Sequence, residues 1–333
     1  MRRETKYRLI GLFIGFFILL ALVYHVGFER FYHQVSHASP YLIALSVIIY
    51  ASSWIFRTLR LDLFTTHAGK NIKILDLFKL YIAGYALNVL LPAKLGDVAT
   101  VGFLKMKGIN IGRSTAIIIQ TRILDVLALI LLSLPAFIAI SYSDSPHWLR
   151  SMILICLLVV AAPIGIVTLD KHKKIISFFD KFGERFSQRY IKLTMEKTKE
   201  AYEGYHEIVS NKKLLVASIL LSVMIWLFDG LTCYSVSVAV GAKISIFAVL
   251  LAVSFANVGK SAPATPGAVG IYEGLLSAVM VFFGVPFDIA IAIAILDHAI
   301  KNIFTLLLGI PSTLTMGVSL SQLNKVRERD TND

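Results

Sequence analysis

The sequence predicts an all-α integral membrane protein with about six membrane-spanning helices and two inverted re-entrant hairpins of broken helix. Three observations lead to this fold class. Hydrophobic residues make up 56% of the 333 residues and charged residues only 16%, whereas soluble domains average about 25% charged residues. The apolar residues form runs long enough to cross a hydrocarbon core of roughly 30 Å. Lys and Arg concentrate in the segments between alternate runs, which also predicts an orientation.

The first apolar run, residues 9–26, follows a basic N-terminal segment, as it would in a signal peptide. The run is longer than a typical signal-peptide core, and Glu29 and Arg30 follow it where a small-residue cleavage site would be expected. We therefore predict that this run is a retained first span.

Full crossings are predicted for six runs, because each gives a helix of sufficient length at a rise of 1.5 Å per residue and is bounded by charge, Gly or Pro. They are residues 9–26, 41–60, 114–141, 151–169, 214–240 and 288–310.

Two further apolar stretches, residues 80–106 and 244–283, are interrupted by Pro and Gly. In lipid, the backbone groups freed by such a break must be satisfied by protein or by cavity water. Broken segments of this kind are typical of re-entrant hairpins that line a transport site. A full crossing at both stretches is the competing topology.

The basic residues orient the chain in the membrane. If both hairpins return to the side they enter from, the cytoplasmic segments carry 27 Lys and Arg and the external segments carry four. This bias places both termini in the cytoplasm, with residues 1–320 as a single multi-pass domain and 321–333 as a polar tail. Since the net charge of +12 resides in these loops, we expect anionic lipid of the cytoplasmic membrane as the partner and no nucleic acid.

The cytoplasmic loop 170–213 combines aromatic and aliphatic residues at helical spacing with a face rich in Lys, Arg and Glu. This pattern is typical of an amphipathic helix on anionic inner-leaflet lipids. A helix packed on the cytoplasmic face of the protein itself would give the same pattern.

An internal repeat relates residues 75–141 to residues 244–318. Three crossings (114–141, 151–169 and 214–240) separate the two hairpins, so the hairpins enter the membrane from opposite faces, as in the inverted repeats of secondary transporters. The features that recur in order are Asn88, Pro92, Gly96, Asp97, Gly108 and Arg122 in the first copy, and Asn257, Pro266, Gly270, Glu273, Gly284 and His298 in the second.

Ionisable residues within predicted spans are candidate functional residues, because burying one in a membrane costs at least about 2–3 kcal/mol. Arg122 and Asp125 are three residues apart on one helix. They are either a buried pair that holds helices together, or a site in which Arg122 binds an anionic headgroup and Asp125 orients it. Around His298, Asp297 and Lys301 have the spacing of an i,i+4 ion pair.

The hairpin tips are candidate anion sites. Backbone N–H groups at the start of a half-helix carry partial positive charge, and Lys94 and Lys260 would add full charges near each tip. The alternative is that the tips are tight turns, with Lys94 extended to water. Asn88 and Asn257 are expected mainly to cap the broken backbone.

Motifs of soluble enzymes are absent from the sequence, which has no P-loop, G-x-S-x-G elbow or C-x-x-C. His206 and Glu207 lack the second His of a zinc-protease helix. The two cysteines, Cys156 and Cys233, both lie in apolar runs, which disfavours a disulfide or a thiolate metal site. We expect no catalytic centre, cofactor or metal.

Three segments resemble a known family. Residues 87–97 (LNVLLPAKLGD), 121–128 (TRILDVLA) and 266–273 (PGAVGIYE) are similar to the membrane region, often described as flippase-like, of the lysylphosphatidylglycerol synthases. The resemblance covers roughly residues 5–320 and extends to stand-alone bacterial and archaeal membrane proteins. It implies lipid handling or translocation. It also implies no aminoacyl transfer by this segment, because the soluble transferase domain of the larger members does not follow it.

Departures from the family pattern are Lys94 for Arg, Asp97 for Glu, Thr121 for Glu and His298 near a position where Arg is usual. The first two keep the charge, the third removes an acidic group beside Arg122, and the fourth would make the second site sensitive to pH near neutrality.

Together these observations predict a translocase of an anionic phospholipid or lipid-linked substrate. The alternatives are an intramembrane enzyme or enzyme subunit acting on a lipid-linked substrate, with Asp97, Asp125 or Glu273 as acid or base, and a scaffold that recruits a soluble partner enzyme through 170–213. The predicted headgroup-binding residues are Lys94, Asp97, Arg122, Asp125, Lys260, Glu273, His298 and Lys301. The predicted hairpin backbone residues are Asn88, Pro92, Gly96, Asn257, Pro266, Gly267 and Gly270.

Overall fold

The computed structural model describes Tyr24, residues 28–91, residues 94–141, Glu200, residues 202–260 and residues 265–315, and all the regular structure in this part of the chain is helical. The helices are α1 (Phe28–Ser36), α2 (Pro40–His67), α3 (Ile74–Leu90), α4 (Leu95–Met106), α5 (Ile111–Ser141), α6 (Lys212–Ala239), α7 (Ile246–Gly259), α8 (Ile271–Phe282) and α9 (Phe287–Thr315). A 3₁₀ turn, Pro266–Ala268, precedes α8, and residues 202–210 are also helical. Outside the described residues lie the predicted spans 9–26 and 151–169, most of the loop 170–213, the tail 321–333, and Pro92.

Four of the predicted crossings are confirmed as helices long and apolar enough to span a membrane, within the part of the chain that the structure describes. They are α2, α5, α6 and α9, with 28 to 31 residues each. Local sequence sets their starts. Pro40 occupies the first turn of α2, where its missing N–H is not needed. The Asn211 side chain caps α6 by accepting a hydrogen bond from the Leu214 N–H at 3.2 Å.

The predicted end of the second crossing was wrong. The count of 27 cytoplasmic Lys and Arg includes Arg57 and Arg60, but α2 continues to His67 and both arginines are buried inside the protein. They pair with carboxylates on neighbouring helices, which offsets the cost of burying them. Without these two residues the charge bias is 25 to 4, so the predicted orientation keeps its support.

The first interrupted stretch forms a hairpin of two antiparallel helices, α3 and α4. Gly84 on α3 lies against Gly96 and Thr100 on α4, so the two backbones approach closely. Asn88 on α3 contacts Asp97, one turn nearer to the break. The helices have 17 and 12 residues, which gives lengths of about 26 and 18 Å. Each is shorter than the hydrocarbon core, as a re-entrant hairpin requires.

The second interrupted stretch pairs α7 with α8, which have 14 and 12 residues. Gly259, the last residue of α7, lies against Ile271 and Leu275 on α8. A longer break that includes the 3₁₀ turn joins these helices. The element order of two short helices followed by one long helix is therefore the same in both predicted repeats.

The hairpins lie beside opposite halves of α9. Met280 on α8 belongs to a core cluster with Ile293 from the first half of α9, whereas Gly309, in the second half, lies against Ile82 on α3. The tips meet between them, since a Cβ placed on Gly267 would lie 3.2 Å from the Val89 carbonyl oxygen of α3. This is the geometry expected of hairpins that enter from opposite faces. Their depth in the bilayer stays a prediction.

Each long helix of the repeat contains one proline, Pro135 in α5 and Pro311 in α9. Both prolines stand 24 residues after the first residue of their helix, Ile111 and Phe287. The correspondence of the repeats thus extends beyond the hairpins.

Candidate functional site

A cavity of about 180 Å³ lies where the two hairpin tips meet. It is lined by polar and aromatic residues from both hairpins and from the four long helices. The residues that the following paragraphs use are Arg57, Tyr85, Asn88, Lys94, Arg122, Asp125, Trp226, Asp229, Asn257, Lys260, Gly267, Ala268, Tyr272, His298 and Lys301. Most of the predicted site residues are therefore brought together in one place.

At the first tip, Arg122 binds Asp97 through two parallel contacts. Its Nε donates to Oδ2 at 2.9 Å, and its Nη2 donates to Oδ1 at 2.5 Å. The remaining nitrogen, Nη1, donates to the Tyr85 hydroxyl at 3.0 Å and to Asp125 at 3.3 Å. Each guanidinium nitrogen therefore has a protein partner, although the side chain remains 29% exposed and lines the cavity, and these contacts hold α5 against the hairpin.

At the second tip, His298 takes the place of Arg122. Its Nδ1 lies 2.7 Å from Glu273 Oε1, and the other carboxylate oxygen accepts a hydrogen bond from the Gly270 N–H at 2.7 Å. Glu273 stands 176 residues after Asp97, and His298 stands 176 residues after Arg122. Both carboxylates occupy the third position of their helix, after the N-caps Lys94 and Gly270. The two repeats thus carry equivalent charged pairs.

The predicted pairing of Gly96 with Gly270 across the repeat was wrong. Gly270 is the N-cap of α8, with a φ of +86° that favours glycine. Gly96 lies two residues after the corresponding N-cap, Lys94, inside α4, where its missing side chain allows the approach of Gly84. The equal Pro-to-Gly spacing in the sequence therefore reflects two different structural requirements.

Two of the backbone N–H groups at the tips, where we predicted anion binding, already donate hydrogen bonds to side chains of the protein. The Asp97 N–H donates to the Asn88 side chain at 3.2 Å, and the Gly270 N–H donates to Glu273. These two amides already have partners, so Asn88 has the capping role that we expected. The hydrogen bond described for Asn257 returns to Val253 on its own helix.

Sequence reasoning missed a central ion-pair network between the tips. Arg57 pairs with Asp229 on α6, and Arg60 donates to Asp125 at 2.7 Å. Tyr85 accepts hydrogen bonds from both Arg57 and Arg122, at 3.3 and 3.0 Å. An available signal was Asp229, a single acidic residue in the apolar run 214–240, because charges at membrane depth are costly.

The predicted i,i+4 pair of Asp297 and Lys301 is present, with a separation of 2.9 Å. Lys301 also contacts the carboxylate of Asp229 at 3.6 Å, so it joins the second repeat to the central network. Asp297 in turn accepts a hydrogen bond from the Tyr272 hydroxyl at 2.6 Å. Lys301 is therefore fully engaged by protein groups.

Two cavity lysines differ from the other basic groups. Within the described residues, neither Lys94 nor Lys260 forms an ion pair with a carboxylate. Lys94 adopts a left-handed backbone conformation with a φ of +54°, and Ala268 at the other tip has a φ of +56°. Such conformations are uncommon for residues other than glycine and are often found at functional sites. Each tip thus has one non-glycine residue in the left-handed region and one lysine without a carboxylate partner among the described residues.

The site is less positive than its basic residues alone suggest. In the described region around the tips, six basic side chains are accompanied by five carboxylates, and most of the six form ion pairs with these carboxylates. The basic residues are Arg57, Arg60, Lys94, Arg122, Lys260 and Lys301, and the carboxylates belong to Asp97, Asp125, Asp229, Glu273 and Asp297. With His298 neutral these groups have a net charge of +1, and Lys94 and Lys260 are the two of the six cations that form no ion pair with a described carboxylate.

A sequence profile described as the lysylphosphatidylglycerol synthase TM region matches residues 8–309, which include both hairpins and all four long helices in whole or in large part. The chain belongs to this family. It is a multi-pass membrane protein, as its long apolar helices require.

Relatives of this family occur in archaea. A UPF0104 membrane protein of Pyrococcus horikoshii is 27% identical over 91% of this chain and 95% of its own length. A UPF0104 membrane protein of Methanothermobacter thermautotrophicus is 21% identical over 93% and 95% of the two chains. Glycosyltransferase AglD of Haloferax volcanii is 24% identical over 96% of this chain, but the match covers only 57% of AglD.

The family pattern also has an acidic residue before Arg122, where this chain has Thr121. The Thr121 side chain is buried and its hydroxyl donates to the Ile118 carbonyl oxygen at 2.7 Å. Asp97 and Asp125 supply the acidic partners of Arg122. The departure at Thr121 therefore leaves this arginine fully paired.

Proposed function

We propose that the protein is a translocase of an anionic phospholipid or lipid-linked substrate in the cytoplasmic membrane, and that it has no catalytic centre of its own. The observation that carries the proposal is the cavity between two opposed hairpin tips, to which Lys94 and Lys260 contribute ammonium groups that form no ion pair with a described carboxylate. A phosphate-bearing headgroup would bind between these lysines while its apolar tail remains in lipid.

The remaining charged residues support this proposal because they form a fixed ion-pair network around the cavity. Arg57, Arg60, Arg122 and Lys301 are held by carboxylates on other helices or on their own helix. Such networks keep a polar cavity open inside an apolar protein, because each charge has a fixed partner. Headgroup binding is thus assigned chiefly to the lysines, and Arg122 is assigned to positioning the first hairpin.

The family and the position of the site give further support. Broken helices that meet between opposed repeats are the arrangement expected of an alternating-access site. The strong bias of basic residues towards one side favours an orientation with that side in the cytoplasm.

The alternative function is an intramembrane enzyme, or an enzyme subunit, that acts on a lipid-linked substrate. The relative named a glycosyltransferase favours it. Against it, the three candidate acid–base groups are already engaged. Asp97 is bound by Arg122 and Asn88, Asp125 by Arg60 and Trp226, and Glu273 by His298 and Gly270. A carboxylate surrounded by donors is a poor proton donor at neutral pH.

The test is lipid movement between leaflets in liposomes that contain the purified protein. One set of liposomes carries fluorescent phosphatidylglycerol and another carries a fluorescent isoprenoid phosphate. We expect the wild-type protein to accelerate at least one probe, and the double variant Lys94→Gln, Lys260→Gln to lose most of that acceleration.

The matched control is Lys107→Gln. Lys107 lies at the base of the first hairpin and pairs with Asp76, away from the cavity. This variant should transport at the wild-type rate. Equal acceleration by the wild type and the double lysine variant would exclude the tips as the headgroup path. Chemical alteration of the probe without movement would favour the enzyme alternative.

A further inference from the structure

Three titratable side chains meet at the second tip, where His298 on α9 takes the position that the permanently charged Arg122 has at the first tip. His298 lies between Glu273, 2.7 Å from Nδ1, and Lys260, 3.5 Å from Nε2. The ring of Tyr272 packs on the imidazole with a centroid separation of 4.4 Å. His298 is buried, so its proton is governed by these neighbours and by the contents of the cavity.

The hydrogen-bond geometry fixes how the imidazole is used. A carboxylate accepts hydrogen bonds and has none to donate, so Nδ1 carries the hydrogen that bonds to Glu273. Nε2 then faces the ammonium group of Lys260 and accepts from it. A proton added to Nε2 would place a second positive charge beside Lys260, with one carboxylate to offset both.

Other charged groups near His298 do not change the charge balance among His298, Lys260 and Glu273. On its own helix, Asp297 and Lys301 pair with each other. Asp229 on α6 is shared between Arg57 and Lys301. The Tyr272 hydroxyl donates to Asp297. Across the cavity, Arg122 is occupied by Asp97, and Lys94 adds further positive charge. Glu273 is therefore the carboxylate that balances His298 and Lys260.

Without a bound anion, the positive charge of Lys260 favours a neutral His298. An anion at Lys260 would favour the protonated imidazole instead. A negative headgroup beside Nζ offsets the lysine charge, which leaves Glu273 to balance a protonated imidazole. The added proton on Nε2 also gives the anion a second charged hydrogen-bond donor. Imidazole suits this role, because its ordinary pKa lies close to neutral pH.

We infer that His298 couples the site to protons, so that a phosphodiester anion bound at Lys260 brings one proton with it to Nε2. The proton comes from bulk water and returns there when the anion leaves, so no bond other than N–H is made or broken. The inference rests on the proposed function and deepens it, because it defines the cargo as an anion plus a proton.

The experiment is calorimetric titration of the purified full-length protein in amphipol. The probe is dihexanoyl phosphatidylglycerol, whose phosphodiester does not itself titrate near neutral pH. Dimethyl phosphate, the same group without lipid tails, is the second probe. Titrations in buffers with different ionisation enthalpies give the number of protons taken up per anion bound.

For the wild-type protein we expect an uptake of about one proton per anion near neutral pH. The affinity should fall about tenfold for each unit of pH above the range in which the free site is protonated. In the matched variant His298→Arg, a permanent cation replaces the imidazole. It should bind the same probe without proton uptake and with an affinity independent of pH.

Each outcome decides a separate point. Saturable binding without proton uptake by the wild type would overturn the coupling and leave the translocase proposal intact. Binding of dimethyl phosphate but not of the lipid would keep the coupling and contradict a lipid cargo. No binding of either probe would overturn the anion site and the inference with it. If His298→Arg fails to fold, His298→Gln takes its place, because it also removes the titrating nitrogen and should bind the probe without proton uptake.

Discussion

The two hairpins share a plan but differ in the chemistry at their tips. In each, a carboxylate in the first turn of the second short helix pairs with a residue on the following long helix. At the first tip the partner is Arg122, which is charged at all physiological pH values. At the second tip it is His298, whose charge depends on its surroundings. The first pair is therefore a permanent structural link and the second is a conditional one.

The hairpins also differ in how closely their helices pack. Gly84 and Gly96 bring the backbones of α3 and α4 together, whereas in the second hairpin Gly259 faces the flexible side chain of Leu275. The break in the second hairpin is longer and contains a 3₁₀ turn. A hairpin with a glycine-to-glycine backbone approach and a permanent ion pair thus opposes one with a longer break and a titratable pair. This comparison predicts that the second hairpin responds to ligand and pH while the first supports it.

The largest expected effect comes from a residue that belongs to neither hairpin. Asp229→Asn removes the carboxylate shared by Arg57 and Lys301, which leaves buried cations without it. The free energy of unfolding should fall by about 3–5 kcal/mol. Unfolding by SDS titration of the detergent-solubilised protein measures this. A loss below about 1 kcal/mol would show that the central network is not required by either repeat.

The second prediction compares the equivalent charged pairs. Arg122→Met leaves Asp97 with Asn88 as its remaining described partner at the tip, and should cost about 3 kcal/mol of unfolding free energy. His298→Gln keeps a donor for Glu273, and should cost about 1 kcal/mol. The same SDS titration ranks the two variants. Equal costs would contradict the distinction between a permanent and a conditional link.

The third prediction compares the helix contacts within the hairpins. In Gly96→Ala the new methyl group meets the backbone oxygen of Gly84, which cannot move without separating the helices. A loss of about 2–3 kcal/mol is expected. In Gly259→Ala the methyl group meets the end of the Leu275 side chain, which can rotate away, and the loss should stay below about 1 kcal/mol. Thermal unfolding followed by circular dichroism would show the order.

The smallest expected effect lies at the base of the first hairpin. The hydrogen bond from Lys107 to Asp76, together with the charge of Lys107, lowers the pKa of this exposed carboxyl. Its contribution is present above the ordinary pKa of Asp and is lost as the pH falls through the lowered value. Because the pair is exposed, Asp76→Asn should leave the unfolding temperature unchanged at neutral pH and remove only a small pH dependence in the acid range. A large shift at neutral pH would show that this end of the hairpin is not exposed to water.

The sequence predicted the helical membrane fold and the residues that meet at the tips, because long apolar runs, Pro and Gly breaks and buried charges are local signals. It did not predict which cations remain available. Arg122 was the leading headgroup ligand from the sequence, and only the three-dimensional structure shows that Asp97 pairs with it. Arg57 and Arg60 were misplaced because they lie near the end of an apolar run, where a charged residue ordinarily marks the membrane surface. Their buried partners are 65 or more residues away in the chain.

The prolines of α5 and α9 have a mechanical consequence. Each removes one hydrogen bond from its helix and weakens the turn that precedes it. In α5 this turn lies next to Ala136, which packs against Leu251 of the second hairpin. In α9, Pro311 follows Gly309, which packs against the first hairpin. Each long helix is therefore stiff beside its own hairpin and compliant where it supports the other. A bend in either helix would displace the opposite repeat. The movements of the two halves of the protein would therefore be coupled rather than independent.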